Sequence, residues 1–360
     1  MRNICKKAAD CFGCGACACA CTSGAVSMEP DREGFLYPVI DEALCIDCGR
    51  CTLVCPSGHR PAVMSEVSYY AFRCKDETIL SDSTSGGAFS LIALKILEKG
   101  GLVCGAVFDD SFEVVHVLSD EISSMRKAKY VQSRTADCFV KIKEALISGI
   151  PVLFSGTPCQ CMAARMLFPD SESLYTASLV CRGVMSPKLW DEYRSFLERK
   201  GTLNAFCFRD KRKPDDAHTV AFRIDDTEYA DDFIKNPLCR IYARELPLRP
   251  SCYSCPFTFA EKDFDFTLGD FWGAEKVFPE LADGKGTSLV ITCGNKADGL
   301  FTELSESADI RETEKERILQ PALVSPARVT MLRKFLFRDL NTTGPDGHCD
   351  MELILRKYGS

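Results

Sequence analysis

The 360-residue sequence contains no run of about 20 apolar residues, the length an α-helix needs to cross a bilayer, so we expect no membrane-spanning helix. Basic residues are not in excess. The 44 Lys and Arg stand against 51 Asp and Glu, and the net charge of −7 argues against a general nucleic-acid-binding surface. The N-terminus also lacks the apolar segment of a secretory signal, so we expect a cytoplasmic protein.

Cysteine, in contrast, is abundant, with 22 residues. In a short secreted chain this number would predict a disulfide framework, but in a long chain without a signal peptide it indicates thiols kept reduced. Eight of these cysteines form two runs with the spacing C-x2-C-x2-C-x3-C. The runs are Cys11, Cys14, Cys17 and Cys21, then Cys45, Cys48, Cys51 and Cys55.

This spacing is that of bacterial two-cluster ferredoxins, in which three cysteines of each run bind one [4Fe-4S] cube and the fourth binds the other cube. We therefore expect one cluster on Cys11, Cys14, Cys17 and Cys55. The other is expected on Cys45, Cys48, Cys51 and Cys21. Two zinc knuckles are the alternative, but zinc sites use thiolates in two pairs, and each run here has a third and a fourth cysteine.

Two features depart from the ferredoxin pattern. Thr22 follows the first run where proline is usual, which we interpret as a tolerated change because proline there only helps to fix the backbone. Cys19 lies between two expected ligands and could compete for iron.

Beyond the cysteine runs the sequence alternates between helical and strand-like patterns. Helices are predicted over 87–99, 135–147, from about 159, over 187–199 and, with a solvated basic face, over 328–338. Strands are predicted over 102–108, 113–118, 151–154 and 173–180. This alternation predicts an α/β domain with a mixed sheet, so the expected fold class is α+β or α/β behind a ferredoxin-like module.

Six short motifs follow the cysteine runs, at residues 83–88, 129–133, 155–160, 181–184, 251–255 and 265–273. In this order, and together with those runs, they resemble the coenzyme F-420 hydrogenase/dehydrogenase beta-subunit family over about residues 10 to 300. Members of that family bind FAD and a further iron–sulfur cluster, and archaeal members exchange electrons with the deazaflavin coenzyme F-420. Many bacterial members occur in organisms without that coenzyme, some alongside polysaccharide-modifying enzymes.

The resemblance implies a two-cluster ferredoxin-like domain at 1–62, a flavin-binding domain at 66–306 and a C-terminal extension at 307–360. The flavin-binding domain would have two parts, about 66–150 and 151–306. The implied function is that of an iron–sulfur flavoprotein oxidoreductase, with ferredoxin or another redox protein as partner and a small-molecule or protein-bound substrate. A non-catalytic electron-transfer subunit of a larger complex, serving polysaccharide-modifying or other biosynthetic enzymes, is the alternative. An iron–sulfur sensor is disfavoured because no DNA-binding motif is recognisable.

The flavin is expected at two turns that precede helices. Ser85, Gly86 and Gly87 could offer backbone N–H groups and the helix dipole to a phosphate. From the residues alone an ordinary capped helix start is favoured, and the resemblance reverses this preference. Gly156, Thr157 and Pro158 form a second such turn, at the end of a predicted strand, where α/β domains tend to bind ligands. The motif at 129–133 adds Lys129 and Ser133 as companions.

Four more cysteines lie within the motifs: Cys159, Cys181, Cys252 and Cys255. The last two form a C-x2-C pair typical of half a metal site, and the first two each follow a predicted strand. We expect these four to hold a third [4Fe-4S] cluster. A zinc half-site and a reactive Cys159 thiol at a helix N-terminus are alternatives, and Cys161 could replace Cys159 as a ligand. No catalytic residue is identified, and Asp270 could lie near a flavin or be a structural turn residue.

Overall fold

The computed structural model describes residues 4–5, 7–59, 61–211, 219–281, 283–344 and 347–360. The strands in chain order are β1 Val26–Pro30, β2 Leu36–Ile40, β3 Val67–Cys74, β4 Leu102–Phe108, β5 Val114–Ser119, β6 Val152–Gly156, β7 Leu174–Leu179, β8 Leu203–Asp210, β9 Thr219–Ile224, β10 Thr227–Asp232, β11 Phe266–Asp270, β12 Ser288–Cys293 and β13 Ala308–Thr313. The α-helices are α1 Ala16–Cys19, α2 Arg50–Leu53, α3 Glu77–Ser81, α4 Ala88–Glu98, α5 Ala136–Ile147, α6 Pro158–Leu167, α7 Pro187–Glu198, α8 Pro237–Ala243, α9 Ala274–Val277, α10 Asn295–Thr302, α11 Lys315–Ile318, α12 Met331–Leu340 and α13 Met351–Tyr358. In the described part of the chain, no helix combines the length and the apolar character needed to cross a membrane.

The two cysteine runs fold alike at the N-terminus, on either side of the antiparallel pair β1–β2. In each run a glycine with positive φ, Gly15 at 71° and Gly49 at 73°, directly precedes a short helix. Glycine adopts this conformation at little cost because it has no Cβ. The third cysteine of each run, Cys17 or Cys51, therefore lies in the first turn of α1 or α2.

The centre of the molecule is an eight-stranded sheet in the order β13-β3-β12-β11-β7-β6-β4-β5. Strands β11, β7, β6 and β4 pair in parallel, and β12, β3, β13 and β5 pair antiparallel to their neighbours. Apolar residues of α4 and α10 cover one face, and those of α5 and α6 cover the other. The predicted mixed α/β sheet is thus confirmed.

The strand directions bring the carboxyl ends of β3, β4, β6, β7 and β11 to one edge of this sheet. Several predicted site residues therefore share this edge. The turn 85–87 precedes α4, Thr157 precedes α6, Cys181 comes two residues after β7, and Asp270 ends β11. Ligands of open α/β sheets bind at such an edge because loops, rather than paired backbone, lie there.

A second core lies beside the sheet. Strands β8, β9 and β10 form a three-stranded antiparallel sheet, which the sequence analysis did not predict. Its residues pack with α7, α8, α12 and α13, and the rings of Trp190 and Phe206 have centroids 4.7 Å apart. Residues 307–360, expected as an extension, contribute β13 to the edge of the large sheet and Phe337 and Tyr358 to this second core.

Candidate metal centres

Cysteines of both N-terminal runs line a common cavity with an empty volume of about 290 Å³. They are the four expected to hold the first cluster: Cys11, Cys14, Cys17 and Cys55. All four are buried. The cavity thus draws three thiols from the first run and one from the second, as in the crossed ligand arrangement of two-cluster ferredoxins.

A fifth cysteine, Cys5, lines the same cavity, and the sequence analysis missed it. Its Sγ lies 3.5 Å from Cys55 Sγ. The Cys5 thiol also hydrogen-bonds to Cys11, and these hydrogen bonds lower the pKa of both Cys11 and Cys55 to about 6. Cys5 stands six residues before the first run, so no spacing rule identifies it.

The residues expected to hold the second cluster lie at the surface of the module. Cys21, Cys45 and Cys51 are half-buried, and Cys48 is exposed. Ile46 and Leu53 beside them are also exposed. Helices α1 and α2 pack against each other, so the two runs are adjacent in space.

Another cavity, with an empty volume of about 620 Å³ that includes open solvent, lies at the carboxyl edge of the sheet. The cysteines expected to hold a third cluster all line it: Cys159, Cys181, Cys252 and Cys255. Cys159 and Cys181 meet there because β6 and β7 are adjacent and parallel. Cys252 lies in the 3-10 helix Pro250–Ser254, and Cys255 directly follows it.

The structure also shows the surroundings of the alternative ligand Cys161 and of the Cys159 thiol. Cys161 does not line the cavity; it is fully buried and its Sγ lies 3.7 Å from the Gly156 carbonyl oxygen. Burial raises the pKa of the Cys159 thiol to about 12, despite a hydrogen bond from Thr157. In the parts of the chain that the structure describes, no three His, Cys, Asp or Glu side chains lie close enough to share a single metal ion.

Two buried cations accompany these cysteines. Arg249 is 1% exposed and lines the cavity, and Lys262 is 2% exposed. Neither forms an ion pair with a carboxylate of any described residue. Burial lowers the pKa of Lys262 to about 8, against the attraction of the Cys255 and Cys181 thiolates. Buried charges are costly unless an opposite charge is near, so this site favours a negatively charged occupant.

The two cavities share a wall, since Phe12 lines both. The loop that carries Phe12 is held against the large domain by side chains of the segment before α5. Thr135 Oγ1 donates to the Cys14 carbonyl at 2.6 Å, and Gln132 Nε2 donates to the Phe12 carbonyl at 3.3 Å. The N-terminal module is therefore docked directly beside the cavity of the large domain.

The turn expected to bind a flavin phosphate is packed against the sheet. The Gly86 N–H donates to Ser288 Oγ at 2.9 Å, and a Cβ on Gly86 would lie 2.2 Å from the Phe72 carbonyl oxygen. Ser85 Oγ donates to the Thr287 carbonyl at 2.9 Å. The glycines thus allow the chain to approach β3 and β12 closely, and the Gly86 donor is already used.

The remaining flavin candidates lie in two separate places. Thr157 and Pro158 line the larger cavity, and Ser133 Oγ accepts a hydrogen bond from Gln160 Nε2 at 2.8 Å. Gly156 faces the same glutamine, since a Cβ there would lie 3.0 Å from its Oε1. Lys129 does not line the cavity; its ammonium donates to the carbonyls of residues 124, 126 and 127.

Asp270 is engaged in an ion pair. Its Oδ2 lies 2.5 Å from Nη1 of the buried Arg209, which also hydrogen-bonds to Tyr130. Trp272, two residues further on, is exposed. The Asp270 carboxylate therefore has a structural role as the partner of Arg209. The sequence had left open whether it lies near a flavin.

Comparisons with known proteins agree with this arrangement. Residues 151–317 match the family model for the C terminus of the beta subunit in coenzyme F420 hydrogenase/dehydrogenase. This part of the chain belongs to the coenzyme F420 hydrogenase/dehydrogenase beta-subunit family. The family expected from the sequence motifs is thus confirmed. Residues 10–59 match a model described as "4Fe-4S dicluster domain", which supports iron–sulfur clusters and an electron-transfer role.

The search of curated proteins found no match. Among solved structures, a chain of the F420-reducing [NiFe] hydrogenase complex from Methanosarcina barkeri matches with 16% identity and a TM-score of 0.48. The match covers 81% of this protein and 96% of that chain.

Proposed function

We propose that this protein is an oxidoreductase that moves electrons between a ferredoxin-type redox partner and a flavin-linked substrate. The observation that carries the proposal is the pair of cysteine-lined cavities that share Phe12 as a wall. Iron–sulfur clusters supply one-electron transfer, and the protein determines their order, spacing and electrostatic surroundings. Here the cysteine sites extend from the surface of the N-terminal module to the carboxyl edge of the large sheet.

The second cluster site is proposed as the contact with the external redox partner. Cys48 is exposed, whereas the cysteines of the other N-terminal site are buried. Ile46 and Leu53 add an exposed apolar surface beside it. A partner that covers these side chains would approach this site more closely than either buried site.

The larger cavity is proposed to hold a third [4Fe-4S] cluster on Cys159, Cys181, Cys252 and Cys255. Its donor set of four thiols fits such a cluster, and the buried cations Arg249 and Lys262 would face its negative charge. A zinc half-site on Cys252 and Cys255 is the alternative, and sulfide analysis of the purified protein distinguishes the two.

FAD is proposed as the two-electron cofactor from the family resemblance and from the position of Ser85, Ser133 and Gly156 near the carboxyl edge. Residues 85–87 do not provide an open phosphate cradle, because Ser288 and the Phe72 carbonyl fill the space around Gly86. Thr157 and Pro158, which line the cavity, are the flavin candidates nearest the third cluster site.

Cofactor counting tests this proposal. After anaerobic purification we expect about twelve irons and twelve sulfides per chain, together with one flavin. The double variant Cys252→Ser/Cys255→Ser should fall to about eight irons. The control Cys293→Ser, whose half-buried thiol lines neither cavity, should retain the wild-type content. Zinc without sulfide, or an iron content that the double variant leaves unchanged, would contradict the third cluster.

A second measurement separates an enzyme from a non-catalytic subunit. If the isolated chain reduces a small electron acceptor when supplied with reduced ferredoxin, its own site performs the final transfer. If ferredoxin bleaches the clusters but no acceptor is reduced until another protein is added, the substrate site lies on that protein.

A further inference from the structure

Arg249 is held at the junction of the N-terminal module and the large domain. Its Nε donates to the Cys11 carbonyl at 2.6 Å, its Nη1 to Gln132 Oε1 at 2.8 Å and its Nη2 to the Leu36 carbonyl at 2.9 Å. Each bond leaves the planar guanidinium in a different direction, so the group has little freedom to rotate. The position of the charge is therefore well defined.

This charge has no anionic side chain opposite it. The three acceptors are neutral groups, and among the described residues no carboxylate pairs with Arg249. The ring of Tyr37 lies 4.3 Å from the guanidinium carbon and that of Phe35 lies 5.4 Å from it. Such cation–π contacts are weak and do not replace an anionic partner for a buried ion.

The guanidinium touches both buried cysteine sites. It lines the larger cavity with Cys159 and Cys252, and it binds the carbonyl of Cys11, which lines the smaller one. The first cysteine run is also shaped around it, since a Cβ at Gly13 would lie 2.6 Å from Arg249 Nη1.

We propose that the fixed charge of Arg249 raises the reduction potentials of the first and third clusters together. The part that concerns the third cluster rests on the function proposed above. Reduction adds one negative charge to a cluster, and a fixed cation in a low-dielectric interior stabilises the reduced form. A cation that faces both sites therefore shifts both potentials in the same direction.

Lys262 provides a natural contrast because it faces only one site. Its ammonium interacts with Cys255 and Cys181, which line the larger cavity, and it lines neither cavity itself. Removal of this charge should affect the third cluster alone. The two cations therefore form a matched pair for separating a shared effect from a local one.

Potentiometric titration followed by electron paramagnetic resonance tests the proposal on the whole chain. In Arg249→Gln the potentials of the two buried clusters should both become more negative, and Arg249→Lys should restore most of the shift. The third-cluster signal is the one that is missing from Cys252→Ser/Cys255→Ser. In Lys262→Gln only the potential of this signal should shift. Unchanged potentials in Arg249→Gln, or equal shifts in its Gln and Lys variants, would overturn a role for the charge.

If Arg249→Gln fails to assemble its clusters, a second pair of variants tests the charge while the guanidinium is kept. Gln132→Glu places a carboxylate at the position that now accepts from Nη1 at 2.8 Å, so it should neutralise the charge and lower both potentials. Both variants lose the Nε2 donations to the carbonyls of residues 12 and 13. Gln132→Met also removes the acceptor for Nη1 but adds no charge, so it should leave the potentials near wild type. If Met lowers them as much as Glu, the proposal is wrong.

Iron counting and this titration together distinguish failure of the third cluster from failure of the Arg249 proposal. A wild-type content of about eight irons would reject the third cluster. The first-cluster signal would then still report on Arg249: a negative shift in Arg249→Gln supports the role at that site, and no shift overturns it.

Discussion

Phe12 packs edge-on against Phe257 with ring centroids 5.8 Å apart, and both rings lie in the wall of the larger cysteine-lined cavity. Phe12 also lines the smaller cavity, so one residue of the first cysteine run separates the two buried sites. A residue in this position excludes water from both sites at once.

Phe12→Ala should therefore expose both buried clusters to solvent. We expect faster bleaching of their visible absorbance in air and a loss of about 2 kcal/mol in unfolding free energy, less than for a fully buried phenylalanine because Phe12 is half-buried. Phe335→Ala on the exposed face of α12 is the control and should change neither quantity. Equal bleaching rates in the two variants would show that Phe12 does not protect the clusters.

Gly13→Ala should be much more harmful than Gly24→Ala. Both glycines have positive φ, 65° and 68°, so both substitutions carry a backbone cost of about 1–2 kcal/mol. At Gly13 the new Cβ would also lie 2.3 Å from Gln132 Nε2, whereas nothing lies within 4 Å at Gly24. Iron content and the urea midpoint should both fall in the first variant, and the second should keep a wild-type iron content. Similar losses in both would mean that the contact is easily relieved.

Cys14→Ser and Cys48→Ser should each lose one N-terminal cluster but differ in stability. Cys14 is buried in the core formed with α5 and α6, and Cys48 is exposed. We expect a lower melting temperature for Cys14→Ser and a nearly unchanged one for Cys48→Ser, with flavin content retained in both. Loss of flavin in either variant would show that the module and the large domain depend on each other for folding.

Gly86→Ala should destabilise the large sheet by several kcal/mol, because the added methyl group would collide with the Phe72 carbonyl oxygen and the Ser288 N–H. Gly299→Ala in α10 should instead stabilise the protein by about 1 kcal/mol, since space is free there and alanine favours helix. Urea unfolding measures both. Flavin that is retained at wild-type occupancy in Gly86→Asp would exclude residues 85–87 as its site.

His116 should make the protein less stable in mild acid. Burial lowers its pKa to about 4 from the ordinary value of 6.5, against a hydrogen bond to the Ser155 carbonyl. Between these values the unfolded chain binds more protons than the folded one, so the free energy of unfolding rises with pH. The His116 contribution lost between pH 7 and pH 5 is about 2 kcal/mol.

The variant His116→Phe retains stacking on Phe154, whose ring centroid lies 5.4 Å from the imidazole. Its unfolding free energy should fall less on acidification than that of the wild type. Parallel pH profiles for the two proteins would show that the imidazole is not buried in its neutral form.

The short-range features of this protein were predictable from its sequence. The cysteine spacing indicates ferredoxin-type clusters because ligands to one cube must come from a tight loop. The helices predicted over 87–99 and 135–147 occur as Ala88–Glu98 and Ala136–Ile147, and the strand predicted over 102–108 has those bounds. Each of these follows from the periodicity and end signals of a few neighbouring residues.

The tertiary structure alone decided which distant residues meet. Cys159 and Cys181 share a cavity because β6 and β7 are parallel neighbours, and strand order depends on packing across the whole sheet. No local pattern marks Cys5 as a neighbour of Cys55, or Arg249 as a buried cation between two cysteine sites. Such contacts join residues 50 to 238 positions apart, so only the folded chain, which buries their side chains together, determines them.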